Sequence, residues 1–170
     1  MGAKDQGADR DAGRWMTIPR TLCFITNGAD VLLMKRAETK RIFPGRYNGI
    51  GGHIERDEDP YTSALREIKE ETGLSLSQLT LRGVYNVDAA QEVGIMLFIF
   101  TGESTSREVI AGDEGSLHWV PIARAGELSL VEDLPFLLPR LFGSHRSESP
   151  FFAHVSYDEN DQIVMRFTSG

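Results

Sequence analysis

Three carboxylates recur at helical spacing in the segment REIKEETG, namely Glu67, Glu70 and Glu71. Residues three and four positions apart lie on one face of an α-helix, so a helix here would bring these side chains together. Like charges four positions apart destabilise a helix by roughly a few tenths of a kcal/mol, and ordinary ion pairs to Arg66 or Lys69 would offset this cost only weakly. Clustered carboxylate oxygens are also the ligands that Mg²⁺ prefers. The spacing alone therefore leaves two interpretations open, a solvated helix surface and a metal site.

A longer register of residues surrounds these carboxylates. Counting from Gly52, Glu58 follows after five residues, and the run REIKEETGL, residues 66–74, follows after seven more. This register resembles the Nudix box, GX5EX7REUXEEXGU, at every fixed position, and Ile68 and Leu74 occupy the two places for a bulky aliphatic residue. At roughly 7% usage for each fixed residue, such a match would arise by chance about once in a hundred million starting points. The chain is therefore identified as similar to the Nudix hydrolases.

Nudix hydrolases cleave a nucleoside diphosphate linked to another group X and use Mg²⁺ or Mn²⁺. The residue-by-residue match implies four metal ligands: the Gly52 carbonyl and the carboxylates of Glu67, Glu70 and Glu71. It also implies that Arg66 orients the glutamates through charge-assisted hydrogen bonds and that Glu58 supports the junction of loop and helix. A metal-bound water loses its proton more readily, and the cation offsets charge on the diphosphate. One box glutamate, or a carboxylate from another loop, would accept that proton, and the choice is left open.

The resemblance extends to the MutT-like enzymes that remove oxidised purine triphosphates, of the 8-oxo-dGTP diphosphatase type. It is carried by the segments VLLMKRA, PGRYNGIGGHIE, GDEGSLHWVP and FFAHVSYDENDQIVMRF. It implies that Asn48 reads the purine edge and that Glu114 completes the metal shell. The adjacent acids Glu132 and Asp133 would contact the base. Two acids so close hold one proton between them more readily than isolated acids do, which would offer the base both a donor and an acceptor.

Each of these assignments has a purely structural alternative. Asn48 could satisfy a turn, Glu114 could be a solvated loop acid, and the acidic pair could cap the helix that follows it. The chain also has Leu130 and Val131 where these enzymes place an aromatic residue shortly before the pair, and the run after the pair differs in length. The base pocket is therefore supported by fewer matching residues than the metal site.

Two helices are predicted from local sequence signals. Asp59 suits an N-cap, Pro60 suits the first helical position and Gly73 suits the position just past the end, so a helix is predicted over residues 60–72. The apolar segment LPFLLPRLF is interpreted as a second helix, in which Pro139 costs one backbone hydrogen bond. The first of these helices carries the carboxylates of the box.

Strands are predicted from β-branched and apolar runs bounded by turn residues. A first hairpin turns at NGAD, a closing hairpin turns at DEND, and the strand over residues 94–102 is expected to be central. The predicted strands cover residues 20–26, 31–35, 81–87, 94–102, 116–121, 151–157 and 162–167. Few βαβ alternations indicate a mixed sheet covered by helices, and the resemblance implies the same arrangement as an α/β/α sandwich.

The composition limits the class of protein. The 170 residues suffice for one domain, which we predict over residues 17–170, after a polar lead, residues 1–16, that is disordered or a remnant of expression. The net charge of -7 disfavours an extended nucleic-acid footprint. No apolar run approaches the roughly 18 residues of a membrane span, so no membrane partner is expected. The single cysteine, Cys23, is expected to be a buried thiol in a reducing cytoplasm, and the oligomeric state is left open.

Three functions fit these residues. The first is hydrolysis of an oxidised purine nucleoside triphosphate to the monophosphate and pyrophosphate, which cleans the nucleotide pool. The second is a pyrophosphatase for ADP-ribose, a dinucleoside polyphosphate or a nucleotide sugar, because the box identifies the diphosphate and says little about X. The third is a nucleotide-binding module without turnover, although a pure binder has no need of clustered like charges. A small-molecule nucleotide is the expected partner in each case.

Overall fold

The computed structural model describes residues 13–110, 112–146 and 148–168. Within these ranges the chain forms strands, two α-helices and a short 3-10 helix. The strands are β1 (Met16–Asn27), β2 (Asp30–Arg36), β3 (Tyr47–Asn48), β4 (Leu79–Val87), β5 (Val93–Glu103), β6 (Gly115–Pro121), β7 (Phe151–Tyr157) and β8 (Ile163–Phe167). The helices are α1 (Pro60–Thr72) and α2 (Leu134–Phe142), and the 3-10 helix covers Ile122–Glu127.

The strands form one mixed sheet with the pairing order β3-β2-β1-β5-β4-β7-β8, in which β3 and β1 pair with different parts of the same edge of β2. Strand β6 pairs with β2 on the edge opposite β3, since Met34 lies across from Asn48 on one side and from Leu117 on the other. The pairs β1–β5 and β4–β7 are parallel. Strand β5 lies in the middle of this order, which confirms its prediction as a central strand.

The two α-helices cover opposite faces of the sheet, which we call the α1 face and the α2 face. Strand β1 shows the alternation, because Cys23 and Ile25 pack in the core with α1, while Leu22 and Phe24 pack in the core with α2. The free thiol of Cys23 is fully buried. The mixed sheet between helices confirms the predicted fold class.

Strand β1 begins earlier than its apolar pattern indicated. It pairs with β5 from Met16 onward, but Pro19, which cannot donate to a β-ladder, lies within this part of the strand, and most of its first residues are exposed. Of the predicted polar lead, residues 1–12 lie outside the described ranges, and Met16 belongs to the sheet. The first hairpin itself turns as predicted, with Gly28 at a φ of 60°.

The Gly-rich loop before α1 is inserted between β1 and β2. Its first part, β3, pairs with β2. Its next part turns to β1, where Cys23 and Ile50 exchange backbone hydrogen bonds of 2.6 and 3.0 Å and the Thr21 N–H donates to the Gly52 carbonyl at 2.9 Å. The loop is thus fixed to the sheet by backbone pairing before the helix begins.

Among the described residues, no helix has the length and apolar composition needed to cross a membrane.

Candidate active site

Helix α1 carries the acidic residues, and its ends are fixed by the predicted caps. The Asp59 carboxylate accepts hydrogen bonds from the N–H groups of Tyr61 and Thr62, at 2.8 and 3.0 Å. Gly73 adopts a left-handed conformation, and its N–H donates to the Lys69 carbonyl. The predicted bounds of the helix, residues 60–72, are confirmed. Because the apolar side of α1 is buried against the sheet, the register of the acidic positions is fixed as well.

The guanidinium of Arg66 connects three of the box glutamates. Its Nε and Nη2 atoms donate to the two carboxylate oxygens of Glu58, at 2.6 and 2.9 Å. Its Nη1 atom donates to Glu67 at 2.9 Å and to Glu70 at 3.0 Å. A further bond of 3.1 Å runs from Nη2 to the carbonyl of His53. These are the charge-assisted contacts expected of Arg66, and they tie the Gly-rich loop to the helix.

This network fixes the protonation state of Glu58. The hydrogen bonds from Arg66 lower the pKa of Glu58 to about 2. The bond to Glu58 in turn is the largest influence that raises the pKa of Arg66. Both groups are therefore charged at neutral pH, which suits Glu58 to anchoring the loop and not to exchanging protons.

Glu67 lies directly against the Gly-rich loop. Its side chain is only 14% exposed. A Cβ atom added at Gly52 would lie 2.6 Å from a Glu67 carboxylate oxygen, closer than real Cβ atoms come to other atoms. A side chain at position 52 would therefore displace the carboxylate. The Gly52 carbonyl, a predicted metal ligand, already accepts a hydrogen bond from Thr21, so one of its two lone pairs is used by the sheet.

Glu71 lies against the preceding glycine of the same loop. The Gly51 N–H donates to the Glu71 carboxylate at 3.0 Å. Burial raises the pKa of Glu71 to about 7, and the negative charges of Glu67 and Glu114 raise it further, against the opposing effects of the Gly51 bond and of Arg36. Glu71 is thus a half-buried acid among other acids, in a place where its negative charge is poorly compensated.

Glu114 reaches the same region from the loop before β6. Its backbone carbonyl accepts a hydrogen bond from the Ala37 N–H at 3.0 Å. Its carboxylate forms an ion pair of 2.6 Å with Lys40 and is 44% exposed. Because its charge influences Glu71, the structure brings Glu114 near the box glutamates, while the alternative of a partly solvated loop acid describes its present contacts.

The donor set of this surface fits a hard divalent cation. Neighbouring glycines place Glu67 and Glu71 side by side, and a cation would neutralise the charges that raise the pKa of Glu71. Across the described ranges, no three His, Cys, Asp or Glu side chains are clustered tightly enough to surround a metal ion. The three box carboxylates do not converge on one point as expected. Arg66 binds Glu67 and Glu70, while the Glu71 carboxylate accepts a hydrogen bond from Gly51.

A second group of polar residues lies toward the α2 face. The hydroxyl of Tyr85 donates to Oδ2 of Asp133, and the hydroxyl of Tyr157 donates to Glu132 at 3.4 Å. The other oxygen of Asp133, Oδ1, is buried and has no hydrogen-bond partner among the described residues. Burial raises the pKa of Asp133. Its side chain makes no capping bond to α2, so the capping alternative does not account for this carboxylate.

Asn48 lies next to the segment that leads to the acidic pair. The N–H of Tyr47 donates to the Ser129 carbonyl at 2.8 Å, and the Tyr47 carbonyl accepts from the Val131 N–H at 2.9 Å. The side-chain oxygen of Asn48 accepts a hydrogen bond from the Gly49 N–H at 2.9 Å, as a residue that satisfies a turn would. The two segments are brought together, and base recognition by Asn48 stays a prediction.

Sequence reasoning missed Tyr85 and Tyr157, the hydroxyl partners of the acidic pair. Tyr85 is 1% exposed and lies in β4, where apolar and polar residues are mixed. A buried tyrosine hydroxyl usually finds a partner, and that need was the available signal. The identity of the partner depends on strand order, which the sequence pattern did not provide.

Comparison with known proteins extends these observations. Residues 16–141 match the family model described as the NUDIX domain. The nucleoside triphosphatase NudI of Salmonella arizonae is 34% identical over 100 residues, which cover 53% of this chain and 71% of NudI. The m7GpppN-mRNA hydrolase NUDT17 of Danio rerio is 49% identical over 47 residues, which cover 28% of this chain. The matched part spans only 16% of that longer relative.

Solved structures share the fold. The crystal structure of the MutT protein from Bacillus halodurans aligns with a TM-score of 0.75 and 22% identity, covering 88% of this chain and 97% of the MutT chain. At this level of identity the likeness establishes the fold alone. The NUDIX match, however, covers most of the chain and includes the Gly-rich loop, α1 and every residue of the box. This chain therefore belongs to the Nudix family.

Proposed function

We propose that this chain is a metal-dependent pyrophosphohydrolase that converts 8-oxo-dGTP, or a related oxidised purine nucleoside triphosphate, to the monophosphate and pyrophosphate. The observation that carries the proposal is the hydrogen-bond network of the box, in which Arg66 binds Glu58, Glu67 and Glu70 while Glu71 is held on Gly51. A binding module would not need to retain these mutually repelling acids beside the loop.

Nudix hydrolases generally use a divalent metal ion, and we assign it here to Glu67, Glu70 and Glu71, with the Gly52 carbonyl and Glu114 as further ligands. Bound there, Mg²⁺ or Mn²⁺ would make a water molecule more acidic and would offset charge on the diphosphate. Arg66 would keep Glu67 and Glu70 oriented, as its present hydrogen bonds do. One of these carboxylates, or Glu114, would accept the proton of the attacking water.

Recognition of the base is assigned to the acidic pair and to Asn48. The buried, unpaired Oδ1 atom of Asp133 is available to accept an N–H from a base, and Tyr85 fixes the orientation of that carboxylate. Glu132 lies beside it and is in contact with Tyr157. These contacts support a purine pocket next to the box, on the side of the sheet covered by α2.

The test is a comparison of 8-oxo-dGTP with dGTP in the presence of Mg²⁺, with products identified by chromatography. We expect release of pyrophosphate and monophosphate, with a higher kcat/KM for 8-oxo-dGTP. The Glu71→Gln variant should lose activity and Mg²⁺ dependence, because it removes a charge from the proposed metal site. Equal turnover of the two nucleotides, or turnover of neither, would contradict the assignment of 8-oxo-dGTP as substrate. Unchanged activity of Glu71→Gln would show that Glu71 has no part in the mechanism.

A second candidate substrate class has its own support. NudI is named a nucleoside triphosphatase and NUDT17 an mRNA cap hydrolase, so relatives of this chain act on different groups X. A panel containing ADP-ribose, a dinucleoside polyphosphate and a nucleotide sugar separates these activities by their products. We place the activity in the cytoplasm, where the buried free thiol of Cys23 would stay reduced.

A further inference from the structure

Besides Oγ1 of Thr21, two buried polar atoms on the described part of the chain, Nε of Arg20 and Oδ1 of Asp133, have no hydrogen-bond partner there. The first is an N–H donor that lacks an acceptor, and the second is an acceptor that lacks a donor. Burying such groups unpaired costs free energy, so their retention needs an explanation. A ligand that pairs with both of them at once would supply one.

The register of the sheet places the two atoms on the same face. Arg20 lies opposite Leu97 in β5, and Leu97 lies opposite Tyr85 in β4. Directly opposed residues project to the same side of a sheet, and neighbouring strands lie about 4.8 Å apart. The backbones of Arg20 and Tyr85 are therefore about 10 Å apart on the α2 face, with Leu97 between them. Tyr85 binds Asp133, so the donor and the acceptor flank a partly buried apolar residue.

The charges at the two ends favour a polar, planar and uncharged ligand group. Burial, followed by the nearby charge of Arg36, lowers the pKa of Arg20, so its guanidinium would gain from an acceptor. Asp133 would repel a phosphate at the opposite end. The apolar side of α1 packs on the other face of the sheet, and the charge of Arg36 acts on both Glu71 and Arg20, so the α2-face position lies beside the proposed diphosphate site without being part of it. A nucleobase that rests on Leu97 is polar, planar and uncharged, and it can therefore occupy this position.

We propose that Arg20 is a specificity-determining residue that donates a hydrogen bond to a carbonyl oxygen of an oxo-purine base, while Asp133 accepts an N–H from the same base. This inference rests on the proposed function, since it concerns the base of the same nucleotide. Guanine-type bases combine a carbonyl acceptor with N–H donors on their edges, whereas adenine has no carbonyl. Arg20 therefore selects oxo-purines over adenine.

The experiment measures binding of 8-oxo-dGMP, dGMP, dAMP and deoxyribose 5-phosphate by calorimetry, without hydrolysis. The proteins are the wild type, Arg20→Met, Arg20→Lys and, as a control for loss of one exposed positive charge, Arg41→Met. We expect the wild type to bind the two oxo-purines more tightly than the other ligands. Arg20→Met should weaken oxo-purine binding by about tenfold or more while changing dAMP and sugar phosphate by no more than about threefold. Arg20→Lys, which keeps a donor, should show a smaller loss, and Arg41→Met none.

Three results would overturn the assignment. Equal weakening of all four ligands in Arg20→Met would mean that Arg20 binds the phosphate. Unchanged oxo-purine binding would remove Arg20 from the pocket, and a wild type that shows no preference for oxo-purines would remove the pocket itself. If 8-oxo-dGTP is not hydrolysed but 8-oxo-dGMP binding still depends on Arg20, the proposed reaction fails and the base contact stands.

Discussion

Glu71 combines two properties that rarely occur together in a surface acid. It is held by a backbone N–H of the Gly-rich loop, and its pKa is nevertheless raised to about 7 because burial and neighbouring acids outweigh that bond. The unfolded chain would lose the Glu71 proton near pH 4.5, and the folded chain keeps it to about pH 7. Between these values Glu71 binds more protons in the folded state than in the unfolded state, so the contribution of Glu71 to stability falls as the pH rises.

This imbalance predicts a specific pH dependence for the metal-free protein. In EDTA, raising the pH from 4.5 to 7 should cost the wild type up to about 3 kcal/mol of unfolding free energy relative to Glu71→Gln. Urea denaturation at several pH values measures the difference. The exposed acid Glu92 provides a control, since Glu92→Gln should run parallel to the wild type. Parallel curves for wild type and Glu71→Gln would show that Glu71 is not held in a charge-excluding place.

Sequence spacing predicted the residues of the box and the contacts of Arg66, because these groups lie within one short loop and one helix. The same reasoning could not connect Tyr85 with Asp133, which are 48 positions apart and meet through packing of α2 on the sheet. It also did not identify Arg20 as a candidate site residue, because the position of Arg20 depends on the pairing of β1 with β5. Contacts that depend on strand order are not encoded in local patterns.

At the level of elements, the Gly-rich loop and α1 act as one unit. Two adjacent glycines meet different neighbours. A Cβ atom at Gly51 would lie 2.2 Å from the Thr21 carbonyl, and its φ of 150° is accessible essentially only to glycine. A Cβ atom at Gly52 would instead meet the Glu67 carboxylate, the end of a flexible side chain. Gly51 is therefore required by the backbone conformation of the loop, and Gly52 is required by the position of the Glu67 carboxylate.

Alanine at these two positions should separate stability from activity. Gly51→Ala should lower the free energy of unfolding by about 2 kcal/mol or more, because it disrupts the pairing of the loop with β1. Gly52→Ala should cost no more than about 1 kcal/mol but reduce kcat/KM by about tenfold or more, because it displaces Glu67. Chemical denaturation and steady-state kinetics measure both effects. Full activity in a stably folded Gly52→Ala would contradict the role given to this contact.

The sequence predicted most elements because their ends carry strong local signals. Asp59 and Gly73 marked both ends of α1, and the closing hairpin turns at residues 158–161, where the Asp158 carboxylate accepts bonds from Asn160 and Gln162. The 3-10 helix Ile122–Glu127 was missed, since it has no side-chain cap and is too short to show a period. The parallel pairings of β1 with β5 and β4 with β7 were also missed, because they join segments far apart in sequence.

The whole molecule carries a net charge of -7, while its proposed substrate is a polyanion. In the proposed function, the acidic box beside α1 binds the diphosphate and the candidate pocket under α2 binds the base. Strand β1 would take part in both, through its pairing with the Gly-rich loop and through Arg20. An anionic nucleotide approaching the acidic side needs positive charge between itself and the protein. Binding of the proposed substrate therefore depends on a divalent cation at the glutamates of α1.

Calorimetric titration of the full chain with Mn²⁺ and with Mg²⁺, with and without a non-hydrolysable nucleotide, tests this dependence most directly. We predict saturable uptake by the wild type, and a loss of affinity of about tenfold or more in Glu67→Gln and Glu71→Gln. The control Glu92→Gln should bind as the wild type does. Absence of metal uptake by the folded wild type under both conditions, or uptake unaffected by loss of Glu67 and Glu71, would contradict the central claim.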